Sequence, residues 1–293
     1  MSRGTSQSER TAKAVPLIGA HVPASGGLAK RGLSYADAIG AECVQVFVTN
    51  PRGWAPSQGD AQQDTAFREI VTERVPAYVH ASFLINLGTP DPLIAEKSAA
   101  SLAHTVERAR QIGARGVVVH TGSAVAKDRH DEAMTQTRSL LLPMLDELPD
   151  DAPPVLLEPT AGQGQSLCST LDELDEYLHR LDHHPRLGIC VDTCHFFAAG
   201  HDLAADGGMN DFLDSLDKVR GGVPVSLVHA NDSMDVVGAK KDRHESIGSG
   251  HIGAEPFADL LAHATMQNVP LVLETPGKEP EHTADLALLK SLR

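Results

Sequence analysis

Short apolar, β-branched runs recur along the chain at intervals of about 25 to 45 residues, and helical patterns separate them. Runs such as Val117-Val118-Val119 are apolar on both faces, which is typical of parallel strands covered by helices. The eight runs are residues 17–22, 43–48, 77–80, 116–120, 155–158, 187–192, 225–229 and 270–274. Helical periodicity is clearest over residues 94–112 and 131–148. The pattern predicts eight successive βα units.

Eight βα units in one chain of this length predict a (β/α)8 TIM barrel, an α/β fold. A doubly wound sheet is the structural alternative, but it would usually place a Gly-rich phosphate loop after the first strand. The segment there reads HVPASGG, which is not GxGxxG. Because no linker interrupts the repeats, residues 15–293 are predicted to form one barrel domain. The polar residues 1–14 are predicted to form a disordered tail.

Composition adds three constraints on partners and location. The net charge of −14 argues against nucleic-acid binding through the overall field alone, although a local basic rim remains open. The four cysteines fit no CxxC pattern and indicate reduced thiols in a cytoplasmic protein. The N-terminus lacks an apolar signal segment, and no run reaches the ~20 apolar residues of a membrane span. No membrane partner is therefore predicted.

Seven of the eight predicted strands end in a histidine or a carboxylate. These residues are His21, His80, His120, Glu158, Asp192, His229 and Glu274. The carboxyl ends of barrel strands form the active-site face. A single histidine at a strand end is more often a core or capping residue. Seven ionisable groups at one apolar mouth, however, require compensation, and metal ions supply it.

Two further motifs enlarge this set. Asp192-Thr-Cys-His195 follows the sixth strand, and Asp242-Arg-His244 lies in the long segment after the seventh. The second motif is weak alone but gains weight from its place after His229. Nine candidate ligands result: His80, His120, Glu158, Asp192, His195, His229, Asp242, His244 and Glu274.

A zinc ion takes about four ligands and keeps a position for water in catalytic sites. Nine side chains with one bridging carboxylate therefore predict three metal ions rather than one or two. The abundance of histidine favours zinc, with manganese or iron as possible substitutes. Clustered divalent ions suit phosphodiester hydrolysis, because they activate a water and stabilise both the attacking and the leaving oxygen.

The stretches that carry these residues resemble endonuclease IV, the family of zinc-dependent apurinic/apyrimidinic endonucleases on a TIM barrel. The similar stretches are IGAHV, QVFVTNPRGW, YVHASFLINLG, VVVHTGS, LLEPTAGQG, GICVDTCHFFAAG, LVHANDS, DRHESIGSGHIG and VLET. They span nearly the whole chain outside the tail. The resemblance implies base-excision repair of double-stranded DNA, with cleavage 5′ to an abasic site and trimming of blocked 3′ ends. It implies no obligatory protein partner.

The resemblance also implies a role for each candidate residue. One zinc ion would be held by His80, His120 and Glu158; Glu158 would bridge to a second, held with Asp192, His229 and Glu274; His195, Asp242 and His244 would hold the third. Glu158 would in addition be the catalytic residue that orients or deprotonates the attacking water.

Three residues match the positions at which this family inserts side chains into DNA, namely Arg52, Phe83 and Leu84. Extrusion of an abasic nucleotide is cheap because it has little stacking to lose. The alternative for Phe83 and Leu84 is core packing, and the alternative for Arg52 is a solvated loop charge. The chain departs from the usual family pattern at Pro159, where an asparagine is common, and at Phe83, where a tyrosine is common.

Two other functions remain open from the residues. A sugar isomerase or epimerase on a similar barrel would use about four ligands around one or two ions, and it would not need His195, Asp242 and His244 together. A non-catalytic module that binds metal or DNA lesions would not need Glu158. These four residues favour the nuclease.

Overall fold

In the computed structural model, which describes residues 15–293, eight parallel strands close into a barrel. The strands are Ile18–His21 (β1), Val44–Val46 (β2), Ala77–His80 (β3), Val117–His120 (β4), Val155–Glu158 (β5), Leu187–Asp192 (β6), Val225–His229 (β7) and Leu271–Leu273 (β8). Each strand pairs with the next, and β8 closes the barrel on β1, with Ile18 opposite Leu271. The predicted TIM barrel is confirmed. The tail predicted over residues 1–14 lies outside the described range.

Helices cover the outside of the barrel. They are Ser34–Ile39 (α1), Ala61–Glu73 (α2), Pro92–Gln111 (α3), His130–Asp146 (α4), Leu171–Arg180 (α5), Thr193–Ala199 (α6), Gly208–Val219 (α7), Glu255–Ala262 (α8) and Glu279–Leu292 (α9). A π-helical turn, Leu28–Leu33, precedes α1. Between β7 and α8, two short antiparallel strands, Asp232–Ser233 and His244–Glu245, form a hairpin. Within residues 15–293, no helix combines the length and apolar character needed to cross a bilayer.

The predicted element boundaries differ from the observed ones by a few residues, for local reasons. Helix α3 begins two residues before the predicted start because Asp91 caps it, accepting bonds from the Leu93 and Ile94 amides. Pro92 then occupies the first turn, where a missing N–H costs nothing. Strand β2 ends at Val46 rather than residue 48, because the apolar run continues into the following loop.

The barrel interior is filled by a separate apolar cluster whose members come from seven strands or strand starts. These residues are Cys43, Tyr78, Val118, Leu156, Cys190, Leu227 and Val272. In a strand, side chains two residues apart point to the same face. The residue two positions after each member of this cluster also points to the interior, but it lies nearer the mouth of the barrel. Those seven positions hold Gln45, His80, His120, Glu158, Asp192, His229 and Glu274.

Strand β1 follows the same rule with one variation. A Cβ at Gly19 would lie 1.7 Å from the Cys43 carbonyl oxygen, so the lower position of this strand cannot carry a side chain. His21, two residues later, joins the group at the mouth through Gln45. The alternation of strand side chains therefore brings eight polar residues to one end of the barrel.

Candidate metal centre

Glu158 lies at the centre of the barrel mouth and is fully buried at the end of β5. Its Oε2 is 3.2 Å from His80 Nε2 and 3.3 Å from His120 Nε2. Its Oε1 faces the other way and is 2.8 Å from His229 Nδ1. The two oxygens thus face two different sets of nitrogen atoms, as a bridging carboxylate requires.

A second set of groups gathers around His229. Its Nδ1 is 3.2 Å from Glu274 Oε2 and 3.8 Å from Asp192 Oδ2. Ligand atoms of Glu158, Asp192, His229 and Glu274 all lie within 4.8 Å of one another. Four oxygen and nitrogen donors at this spacing match the coordination number of a zinc ion.

A third set lies between α6 and the hairpin. Asp242 Oδ1 is 3.3 Å from His195 Nε2 and 3.0 Å from His244 Nε2. Asp192 Oδ2 is 3.6 Å from His244 Nε2, so this carboxylate lies between the second and third sets. The structure thus brings all nine candidate ligands together, and it adds that Asp192 adjoins both sets.

Three of the histidines donate their Nδ1 hydrogen to a main-chain carbonyl, which leaves Nε2 toward the cluster. The bonds are His80 to Ala81 (2.7 Å), His195 to Pro159 (2.9 Å) and His244 to Glu274 (3.1 Å). Such bonds set the tautomer and orientation of metal-binding imidazoles. Pro159 contributes here through its carbonyl, although it lacks the side-chain amide of the usual asparagine.

In the resulting contacts, an imidazole nitrogen that can only accept a hydrogen bond faces a carboxylate oxygen, which is also an acceptor. When His244 is neutral, its Nδ1 carries the hydrogen, so its buried Nε2 presents a lone pair toward Asp242 Oδ1; this Nε2 has no well-directed hydrogen bond among the described residues. A proton or a cation must lie between two such acceptors. The same holds for His80 Nε2 and Glu158 Oε2. The donor set therefore fits divalent cations.

The ionisable groups of the cluster stabilise one another's charged forms. Burial favours the neutral form of Glu158, but the nearby His229 and His120 hold its pKa well below the usual value. Burial likewise opposes the charging of His244, yet Asp192 and Asp242 raise its pKa to about 9. With protein groups alone, Glu158 is ionised and the His244 imidazole is protonated near neutrality. Metal binding must release that proton, since a ligating imidazole nitrogen is unprotonated.

Two cysteines also approach the cluster, Cys190 beside His229 and Cys194 beside Asp242. Burial raises the pKa of Cys190 to about 12, and burial also raises the pKa of Cys194. A thiol binds zinc as the thiolate. The neighbouring carboxylates and imidazoles are therefore the better ligands, and the cysteines remain apolar filling. All four cysteines of the chain lie in the described range and are free and buried.

Gln45, which is fully buried at the mouth, is not among the residues predicted from the sequence. His229 Nε2 donates to Gln45 Oε1 at 2.8 Å, and Gln45 Nε2 donates to Glu274 Oε1 at 2.6 Å. Gln45 Nε2 also lies 3.0 Å from His21 Nδ1, a residue outside the nine candidates. The run 43–48 ends in valine, so the strand-end rule excluded it. The available signal was a glutamine inside an otherwise apolar strand.

Asn231 is a second residue of the site that the strand-end pattern does not predict. Its Nδ2 donates to Asp192 Oδ2 at 2.8 Å, and its Oδ1 accepts from the Glu274 amide at 2.8 Å. One side chain thus positions the carboxylate of one ligand and the backbone of another.

Replacement of Gln45 by methionine is expected to lower zinc affinity about 10- to 100-fold, because outer partners of metal ligands contribute that much. Methionine keeps the volume but leaves His229 Nε2 and Glu274 Oε1 without their partner. Competition with a zinc chelator measures the change. The exposed Gln62→Met on α2 is the matched control. Wild-type zinc affinity in Gln45→Met would show that Gln45 does not orient His229.

The three residues expected to contact DNA lie on two neighbouring loops at the mouth. Phe83 is 48% exposed and stacks on His120 with centroids 5.8 Å apart, so it is not a core residue. Leu84 beside it is half-buried, and Arg52 is exposed in the loop after β2. The Phe83 amide donates to the Pro51 carbonyl at 3.0 Å, which joins the two loops.

Two basic residues of the segment after β7, Lys241 and Arg243, are less available for contact with DNA. Lys241 Nζ is 3.4 Å and Arg243 Nε is 2.6 Å from the carboxylate of Asp235. This acid neutralises part of the charge that the segment would otherwise offer to phosphates.

Six of the nine groups line a cavity of about 330 Å³, and Phe47, Phe83 and Thr275 line it as well. An adjoining groove of about 270 Å³ shares Phe83, His120, His195 and Asp242 with it and continues to Ser123, Gln163 and Ser166. The arrangement can hold several divalent ions below a surface open to an extended substrate.

Several known proteins are similar to this chain in sequence and in fold. A family model described as xylose isomerase-like TIM barrel matches residues 33–292. A probable endonuclease 4 of Streptomyces coelicolor is 55% identical over 278 residues, covering 94% of this chain and 95% of the relative. The crystal structure of endonuclease IV from Thermus thermophilus is 32% identical with a TM-score of 0.83, covering 94% of this chain and 98% of that one. A D-tagatose 3-epimerase-like protein, 18% identical with a TM-score of 0.69, covers 94% of this chain and 96% of its own and shares the fold alone.

Proposed function

Because this chain belongs to the endonuclease IV family, we propose that it is a DNA-repair endonuclease acting at apurinic/apyrimidinic sites. It hydrolyses the phosphodiester bond 5′ to the lesion and leaves a 3′-hydroxyl and a 5′-deoxyribose phosphate. It also trims blocked 3′ ends during base excision repair. The observation that carries the proposal is the gathering of nine ligand groups, in overlapping sets, around the buried Glu158.

The side chains fit three zinc ions. One set is His80, His120 and Glu158; the second is Glu158, Asp192, His229 and Glu274; the third is His195, Asp242 and His244. Imidazole and carboxylate donors suit zinc, with manganese or iron as substitutes. When bound, such ions lower the pKa of a water and neutralise charge on the phosphate and the leaving oxygen.

The residues of the chain supply position and a proton acceptor. Glu158 is ionised near neutral pH, because His229 and His120 hold its pKa low. Its two oxygens face both neighbouring sets, which supports a role in orienting the attacking water or accepting its proton. The carbonyls of Ala81 and Pro159 keep their histidine partners in the ligating tautomer.

Selection of the lesion rests on the rim. Phe83, Leu84 and Arg52 lie on joined loops beside the cavity, where they can enter a duplex as the abasic nucleotide leaves the stack. A nucleotide without a base is extruded cheaply and fits a cavity of about 330 Å³. Because the protein's net charge is negative, these few contacts and the metal charges are the main source of affinity.

A sugar isomerase or epimerase would account for the second set and the fold, but not for the third set. His195 and His244 converge on Asp242 at 3.3 and 3.0 Å, which one or two ions held by strand ends would not require. This convergence favours the nuclease.

The purified protein is expected to incise a duplex that contains a single tetrahydrofuran abasic analogue, on its 5′ side, while sparing the undamaged duplex. Gel analysis of end-labelled strands measures the incision, and metal analysis of the same sample counts the ions. Three zinc ions per chain are expected. One ion per chain, with no incision, would instead support the isomerase class.

A further inference from the structure

The loop between β4 and α4 contains a turn that is unfavourable for its sequence. Val125 has φ +65°, and the Ala126 amide donates across it to the Ala124 carbonyl at 2.7 Å. This is a γ-turn of the rare positive-φ form. A β-branched residue seldom adopts that conformation, and such strain persists only where the surroundings hold it.

Neighbouring loops hold this turn in place. The Val125 amide donates to Ser123 Oγ at 3.0 Å. The Ala124 amide donates to the Gln165 carbonyl at 2.9 Å, and Arg129 donates to the Ala124 carbonyl at 3.4 Å. The turn is thus tied to the loop after β5 and to the start of α4.

The side chain at this turn adds little to the stability of the fold. Val125 is 58% exposed, so less than half of its surface is removed from water. Glycine would adopt the same φ without strain. In the protein alone, the backbone conformation of Val125 is strained and its apolar side chain is exposed. This combination points to a partner that covers the residue.

The turn adjoins the groove that extends from the metal centre. Ser123, which accepts the Val125 amide, lines this groove with Gln163 and Ser166. The hydroxyl and amide groups of these three residues can form hydrogen bonds with the sugars and base edges of a DNA strand. Lys127, exposed two residues after Val125, adds a positive charge suited to a backbone phosphate.

We propose that residues 123–127 form an additional DNA contact, an inference that rests on the proposed function. Val125 packs in the minor groove against the sugar of a nucleotide flanking the lesion, and Lys127 pairs with a phosphate of the same strand. The groove leads this strand from the scissile phosphate to the turn. The occupant is duplex DNA, because the groove and the cavity at the metal centre share four lining residues, Phe83, His120, His195 and Asp242.

Val125→Gly is expected to raise the Kd for a duplex with one abasic analogue about five- to tenfold, because only the exposed 58% of the residue can be newly covered by DNA. Its Tm should equal or exceed that of the wild type, because glycine relieves the strain. Fluorescence anisotropy with the zinc-loaded protein measures Kd on a duplex whose scissile phosphodiester is replaced by a methylphosphonate that resists hydrolysis, and thermal denaturation measures Tm. A residue with a merely structural role would give the opposite pattern, a lower Tm with an unchanged Kd.

The matched control is Asn268→Gly. Asn268 is exposed with φ +65°, but it precedes β8 and lies at the opposite end of the barrel. Its variant should leave Kd unchanged. Lys127→Gln should reduce the slope of log Kd against log salt by about one, the value for one lost phosphate contact. Val125→Gly should leave that slope unchanged.

Unchanged Kd in Val125→Gly, or a weaker Kd that parallels a loss of Tm, overturns the inference. Either result leaves the proposed function intact if the wild-type protein incises the abasic duplex in the same experiment. A wild-type protein that neither binds nor incises that duplex overturns both.

Discussion

Glu158→Gln is expected to lower incision of an abasic duplex by at least about a thousandfold, while DNA binding remains measurable. The effect combines the loss of a proton acceptor, worth about 10²- to 10⁴-fold, with a weaker bridge between two metal sets. Glutamine keeps the shape of the side chain but removes the charge that faces His80, His120 and His229. DNA affinity depends mainly on the rim loops and the metal charges, so it should change less than incision while the ions stay bound. Single-turnover kinetics measures incision, and fluorescence anisotropy measures DNA affinity.

The fold of this variant must be checked, because a fully buried group is changed. Circular dichroism and zinc content serve that purpose, and Glu69→Gln on the exposed face of α2 is the matched control. A folded, zinc-loaded Glu158→Gln protein that cleaves within tenfold of the wild-type rate would show that Glu158 is not the catalytic residue.

Asp242→Asn is expected to reduce the metal content from three ions to two and to lower incision about 10²- to 10³-fold, because loss of the ion removes stabilisation of charge in the transition state. Asp242 lies within ion-pair distance of both His195 and His244. These imidazoles hold its pKa far below the usual value, although burial opposes the shift. An amide oxygen is a weaker zinc ligand than a carboxylate.

Metal analysis and single-turnover incision on the same samples measure both effects. Asp235→Asn provides the control, because Asp235 belongs to the same segment but pairs with Lys241 and Arg243 instead of the cluster. Three ions and full activity in Asp242→Asn would mean that the third set holds no ion needed for the reaction.

Strand ends made most of the metal centre predictable. His80, His120, Glu158, Asp192 and His229 each end a strand, and the barrel geometry sends all such ends to one face. Gln45 escaped the rule because the apolar run continues past it into a loop. Its role becomes visible only once Cys43 is known to face the interior, since position 45 must then face it as well.

Local sequence patterns determined the fold class and the set of candidate ligands, because side-chain alternation and βα periodicity act over a few residues. The pairings of those groups depend on barrel closure. Gln45 meets His229 across 184 positions of the chain, and Asp192 lies between two sets only because β6 and the hairpin converge. Three further features likewise arise from loops that are brought together in space: the exposure of Phe83, the neutralisation of Arg243 by Asp235 and the strain at Val125. The tertiary structure alone decided them, since no local pattern encodes the distance between segments that are remote in sequence.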